Sequence, residues 1–190
     1  MGKTTFILGG TGSGKSSYTV EIAKKNYKKV AFVATCPYFD EETREKIKLR
    51  KQERPPEWKT YEEFTNLPAL LEKLDVNETY DLVIIDCLTL FVSNLLLEGL
   101  NDEDIRKKVS EMMTTLKNAK YNSIIITNEV GFSGVSESKN TRMYKDISGK
   151  MSQLVARKAE SVYLIVAGLP LKLKDTKGTI DHASNFVLKS

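Results

Sequence analysis

Gly9-Gly10-Thr11-Gly12-Ser13-Gly14-Lys15-Ser16 decides the fold. The stretch fits the pattern G-x-x-x-x-G-K-[ST]. The apolar run Phe6-Ile7-Leu8 enters it and a helix-like stretch, 17–26, leaves it. The pattern has physical meaning only between a strand and a helix. Its glycines let the backbone turn tightly and direct several N–H groups into one concavity, and the following helix adds the positive end of its dipole. A triphosphate is stabilised there without any side-chain acid or base. Lys15 is expected to reach the β/γ-phosphates and the Ser16 hydroxyl to coordinate Mg²⁺. A glycine-rich turn that binds nothing is the plainer reading, but it leaves the agreement of motif and context unexplained.

Outward from the loop, strands are expected at 4–8, 29–35, 81–86, 123–127 and 161–166, with a last one at 183–188. Helices are expected at 15–26, from 40 to the Arg54-Pro55-Pro56 stop, and at 67–74, 88–97, 101–119 and 140–159. Residues 58–63 read as linker or strand, while 129–139 and 168–178 read as loops. Leu82-Val83-Ile84-Ile85 is apolar throughout, as in a strand buried on both faces. Strands alternating with helices call for a mainly parallel sheet covered on both sides. No repeat or linker divides the chain. Residues 1–174 therefore read as one nucleotide-binding domain and 175–190 as a tail able to add a strand to it.

A chain of 190 residues is long enough to bury a real core. No apolar stretch approaches the roughly 18 residues that span a bilayer, so no membrane segment is expected. Met1-Gly2-Lys3-Thr4-Thr5 runs straight into the first strand and leaves no room for a signal peptide, which gives a cytoplasmic expectation. Cys36 and Cys87 each end an apolar run, as small buried thiols do in a reducing compartment. A single histidine gives no zinc spacing. The net charge of +4 comes from scattered lysine and suits nucleotides or nucleic acid alike. No aromatic–basic stripe accompanies it, so no nucleic-acid partner is expected.

In open α/β sheets the ligand lies at the carboxyl ends of the strands. Those ends here carry Gly9-Gly10, Thr35-Cys36, Asp86 and Asn128-Glu129. Asp86 closes an apolar run and can hold the Mg²⁺ shell opposite Ser16; a capping role for helix 88–97 is the alternative. Glu129 either orients a nucleophilic hydroxyl or water, or caps a turn. Helix 40–54 is acidic at its start and basic toward its end, matching its own dipole as a solvated surface helix does. Trp58 reads as a core anchor.

Several stretches together resemble one family, the bifunctional adenosylcobinamide kinase/adenosylcobinamide-phosphate guanylyltransferases of cobalamin assembly. They are the loop 9–16, Asp40-Glu41-Glu42 with Arg44, Arg54-Pro55 with Glu57-Trp58-Lys59-Thr60, and Asp86-Cys87-Leu88-Thr89-Leu90. Ser93-Asn94-Leu95-Leu96, Asn128-Glu129-Val130-Gly131, Gly149 with Gln153, and Ala167-Gly168-Leu169-Pro170-Leu171 follow in family order. The resemblance implies a P-loop NTPase with a RecA-like three-layer α/β/α fold, assembled as a homo-oligomer, often a trimer. It implies phosphorylation of the aminopropanol hydroxyl of adenosylcobinamide with ATP or GTP and Mg²⁺, followed by GMP transfer from GTP through a histidine-linked intermediate. Carried over by position, Gly9, Gly10, Thr11, Gly12, Ser13, Gly14, Lys15 and Ser16 bind phosphates. Ala34, Thr35, Cys36, Lys51, Gln52, Glu53, Arg54, Glu62 and Asp86 complete the nucleotide site. Lys15, Arg50, Asp86 and Glu129 are the expected catalytic set, with Ser16 and Asp86 on the metal.

The chain departs from the family at residue 50. Where the family's R-H-R-x-R-R-P segment carries the guanylylated histidine, this sequence has Arg50, within Lys48-Leu49-Arg50-Lys51-Gln52-Glu53-Arg54-Pro55. A guanidinium stays protonated at any working pH, so it can clamp a phosphate but cannot attack one as imidazole does. The sole histidine, His182, lies in the unmatched tail and reads as a surface residue. Ser152 replaces an asparagine expected beside Gln153. Phosphoryl transfer needs only positioning and electrostatics and keeps its parts, whereas covalent guanylyl transfer lacks its nucleophile. The alternative is a degenerate nucleotide-binding sensor or subunit without kinase activity.

Overall fold

The computed structural model describes residues 1–37, 41–77, 79–132 and 134–175, with the side chains of Glu42, Thr43, Lys46 and Arg50 outside that description. The strand expected at 183–188, and His182, lie outside the described residues. The elements run β1 (Thr4–Gly9), α1 (Lys15–Asn26), β2 (Val30–Ala34), α2 (Glu41–Gln52), β3 (Lys59–Glu62), α3 (Leu67–Asn77) and β4 (Leu82–Asp86). After these come α4 (Leu88–Leu97), α5 (Asp102–Asn118), β5 (Asn122–Asn128), α6 (Lys139–Lys158), β6 (Ser161–Val166) and β7 (Leu169–Lys174).

The strands form one sheet in the order β3-β2-β4-β5-β1-β6-β7, parallel except for the β6–β7 pair. β5 lies between β1 and β4, with Gly9 opposite Asn128 and Asp86 opposite Ile126. The carboxyl ends of three neighbouring strands therefore meet around the glycine-rich loop.

The sheet's two faces are read by period-two alternation. Phe6, Val33, Val83, Ile85 and Ile125 face one core, shared with Leu71 of α3, Phe91 of α4, Val109 and Met112 of α5, and Met151 and Val155 of α6. Ile7, Phe32, Leu82, Ile84, Ile124 and Ile126 face the other, under Ala23 and Tyr18 of α1. Leu82, Val83, Ile84 and Ile85 are all fully buried, as their unbroken apolar run requires. Truncating one such residue to alanine costs about 2–5 kcal/mol. Trp58 is 7% exposed and anchors the second core.

Helix starts follow the sequence signals. Asn101 accepts from the Asp104 N–H at 3.0 Å and caps α5, whose first turn is acidic, and Ser138 caps α6. Residues 59–62 form edge strand β3. The loop expected at 168–178 is corrected, because 169–174 form β7, antiparallel to β6. Pro170 has no N–H to give a ladder, and an edge strand is where that is tolerated. Among the described residues no helix is long and apolar enough to cross a membrane.

Candidate nucleotide site

The loop between β1 and α1 needs glycine for two distinct reasons. Gly12 and Gly14 have φ of 72° and 91°, a region costly for residues with a side chain. Gly9 is required by crowding, since a Cβ there would lie 2.4 Å from Ser13 Oγ and 2.9 Å from Ile165 O. Gly14 is the N-cap of α1 and no side chain caps that helix, so its first-turn N–H groups face the loop's concavity. Lys15 curls back over the loop, its Nζ donating to Gly10 O at 3.0 Å, and is 8% exposed.

One cleft at the carboxyl edge of the sheet is lined by Thr11, Gly12, Lys15 and Ser16 of the loop and by Ala34 and Cys36 after β2. Arg54, Asp86 and Asn128 line it as well, together with Phe32, Ile47, Cys87 and Leu90. The Arg54 guanidinium lies 3.4 Å from the centre of the Phe32 ring, a cation–π stack that aims a fixed positive charge at the cleft. Two cations and a strand-end carboxylate thus share one concavity.

The remaining expected residues are arranged around it. Gly9, Gly10, Ser13 and Gly14 complete the loop's backbone beside the residues that line the cleft. Thr35 is fully buried; its Oγ1 donates to Cys87 O at 2.8 Å and accepts from Cys87 N–H at 2.6 Å. Lys51, Gln52 and Glu53 are exposed at the end of α2, and Glu62 is exposed at the end of β3. Arg50 falls within α2, and its side chain lies outside the described residues. Glu129 is not among the residues that line the cleft: its Oε1 accepts from Gly131 N–H at 2.7 Å, closing the turn after β5, while its own N–H donates to Gly9 O at 2.9 Å. The N-cap of α4 is Cys87, whose own side chain makes no capping hydrogen bond, and Asp86 lines the cleft one residue before it.

Phe32, Ile47, Cys87 and Leu90 line the cleft without having been singled out as site residues. Alternation along β2 puts Phe32 and Ala34 on the same face and is the signal that finds Phe32. Ile47 comes from a helix whose docking no local pattern reveals.

A buried polar network holds these strand ends in register. Thr35 N–H donates to Asp86 O at 2.9 Å. Asn94 Nδ2 on α4 donates to Thr35 O at 2.9 Å and to Phe64 O at 3.1 Å. Thr89 O accepts from Tyr144 Oη of α6 at 3.2 Å. Burial, then the neighbouring Asp86 charge, pushes the Cys87 thiol up to about 12, so it stays neutral and is no nucleophile.

This fold and this loop define a P-loop NTPase of the RecA type, a nucleotide-binding class. The chain superposes on an ATPase of the type III secretion system of pathogenic bacteria with a TM-score of 0.61 at 11% identity, over 90% of this chain and 57% of that one. It superposes on the RadB recombinase at 0.54 with 16% identity, over 85% and 73%. Within the class, the chain belongs to the cobinamide kinase/cobinamide phosphate guanyltransferase family (CobU), whose model matches residues 5–173. It is 30% identical over 180 residues to the bifunctional adenosylcobalamin biosynthesis protein CobU of Escherichia coli K12, covering 88% of this chain and 98% of that one. It is 34% identical over 168 residues to the corresponding CobP of Pseudomonas aeruginosa, covering 88% and 95%.

Proposed function

We propose that this enzyme phosphorylates adenosylcobinamide with ATP or GTP in cobalamin biosynthesis. The observation that carries the reading is the convergence of Lys15, Ser16, Arg54 and Asp86 on one cleft in a chain of this family. The triphosphate lays its phosphates along loop 9–16, against the loop N–H groups and the start of α1. Lys15 leaves Gly10 O for the β/γ-phosphates, and Arg54 neutralises charge from the opposite wall. The acceptor hydroxyl oxygen forms a bond to the γ-phosphorus as the bond from that phosphorus to the β,γ-bridging oxygen breaks, and the hydroxyl proton is released. Positioning and charge stabilisation supply most of the acceleration for such a transfer.

The donor set fits Mg²⁺, since Ser16 and Asp86 offer a hydroxyl and a carboxylate in the same cleft. Mg²⁺ prefers few hard protein oxygens and completes its shell with phosphate and water. When bound it draws charge from the β- and γ-oxygens. Ser16 and Asp86 would hold it, and Asn128, between the loop and Asp86, is placed to order the water around it.

Guanylyl transfer by the covalent route is absent in this reading, because Arg50 occupies the histidine position. Residues 1–174 act as one kinase domain, with 175–190 as its tail, in a cytoplasmic homotrimer. Transfer of label from γ-labelled ATP or GTP to cobinamide, lost in Lys15→Ala, tests the kinase. A wild-type protein that binds triphosphate yet leaves cobinamide unlabelled would remove the reading.

A further inference from the structure

The Ala167-Gly168 turn joins β6 to β7 and touches the phosphate loop from outside the cleft. Gly168 N–H donates to Ser13 O at 2.8 Å. A Cβ on Gly14 would lie 3.1 Å from Gly168 Cα, so loop and turn are in backbone contact. Ala167 and Gly168 have φ of 50° and 79°, the two positive values of a type I′ hairpin turn. Ala167 is the non-glycine residue with positive φ among those described, a conformation that costs about 1 kcal/mol and persists where the surroundings fix it. At the far end of the hairpin, Lys174 Nζ donates to Ala156 O, Arg157 O and Ala159 O at 3.1, 2.9 and 2.6 Å. The hairpin is therefore pinned to the C-terminus of α6 at one end and to the phosphate loop at the other.

The consequence lies in the peptide joining Ser13 to Gly14. In a planar trans peptide the carbonyl and the following N–H point in opposite directions. Holding Ser13 O outward against Gly168 aims the Gly14 N–H inward, toward the space a phosphate fills. We propose that the Ala167-Gly168 turn is a positioning element for the phosphate loop, with the Gly168 N–H fixing the Ser13–Gly14 peptide in its anion-binding orientation. This rests on the reading that loop 9–16 holds the triphosphate. It gives the Ala-Gly-Leu-Pro-Leu stretch at 167–171 a role in nucleotide affinity without touching the nucleotide.

The test compares triphosphate affinity with stability. Valine is an outlier at positive φ, so Gly168→Val must rebuild the turn and withdraw the N–H. Asparagine tolerates that region, and open space surrounds the Cβ position at 168, so Gly168→Asn keeps the turn. Gly168→Val is expected to weaken triphosphate binding about tenfold, the scale of one hydrogen bond to a charged-ligand site, and Gly168→Asn by less than about twofold. Lys174→Met releases the other end and should lower Tm while leaving Kd within about twofold of wild type. Wild-type affinity in Gly168→Val, or an equal loss of affinity in Lys174→Met at matched Tm, would overturn the proposal. If Gly168→Val does not fold, hydrogen exchange of the Gly168 amide in the wild type decides. Slow exchange, slowed further by triphosphate, supports the proposal, and exchange at the rate of an open turn with no nucleotide effect refutes it. A wild type that binds no triphosphate would overturn both this proposal and the kinase reading, whereas wild-type binding with an indifferent residue 168 overturns this proposal alone.

Discussion

Thr35 and Cys87 exchange two hydrogen bonds through one hydroxyl, Thr35 Oγ1 donating to Cys87 O at 2.8 Å and accepting from Cys87 N–H at 2.6 Å. Both residues are buried. The pair fastens the end of β2 to the residue after Asp86, so the carboxylate's position depends on a side chain that is itself fully buried.

Thr35→Val keeps the shape and removes the hydroxyl, leaving the buried Cys87 N–H and C=O without that partner. The expected loss is about 2 kcal/mol in urea unfolding, against well under 1 kcal/mol for Thr35→Ser. A valine variant as stable as wild type would contradict this role for the hydroxyl.

Lys15→Ala should weaken triphosphate binding more than about tenfold, since a charge-assisted contact to phosphate is lost. Asp86→Asn should behave differently. In EDTA it binds as wild type does, and the gain on adding Mg²⁺ disappears. Calorimetric titration of each variant with and without Mg²⁺ separates the two roles; a full Mg²⁺ gain in Asp86→Asn would remove Asp86 from the metal.

The two thiols differ in exposure although both line the cleft. Cys87 is 3% exposed with its thiol pushed up to about 12, whereas Cys36 is partly exposed. Iodoacetamide near pH 8 is expected to label Cys36 alone, and bound triphosphate to slow that labelling. Peptide mapping reads the result, and early labelling of Cys87 would contradict the packing described.

Asp81 ties the turn before β2 to the start of β4, its Oδ2 accepting from Lys29 N–H at 2.8 Å and Lys28 N–H at 3.1 Å. The Lys29 backbone bond, foremost, holds its carboxyl below the ordinary aspartate value. A depressed folded-state pKa gives stability that is present above the unfolded value, about 3.9, and is lost as pH falls through the folded one. Asp81→Asn should therefore melt below wild type at pH 7, with the gap closing in acid. The effect is small because the group is exposed. A gap that stays constant down to pH 2 would contradict the assignment.

Much of this was legible in the residues. Loop 9–16 specifies strand, turn and helix by itself, and the apolar run before Asp86 places a carboxylate at a sheet edge. Strand order was not readable, because pairing β1 with β5 and β6 depends on contacts far apart in sequence. β7 was hidden by Pro170 and by a turn whose Ala-Gly lacks the usual Asn-Gly or Asp-Gly signature. Thr35 looked like a ligand contact from its place at a strand end. Burial and the single hydroxyl bridging Cys87 give it a structural job, which no pattern in one strand can reveal. Glu129 was ambiguous for the same reason, and its contact with Gly131 makes it a turn residue in this conformation.

The product formed from cobinamide and GTP alone separates phosphoryl from guanylyl transfer most directly. Incubation of wild-type protein with cobinamide, Mg²⁺ and α-labelled GTP, followed by mass analysis of the corrinoid, separates the phosphate from the GDP-linked form. Cobinamide phosphate should accumulate, with no GDP-linked corrinoid and no label left on the denatured protein. A GDP-linked product accompanied by protein-bound GMP would show that a nucleophile other than residue 50 serves the transfer, and would contradict the account.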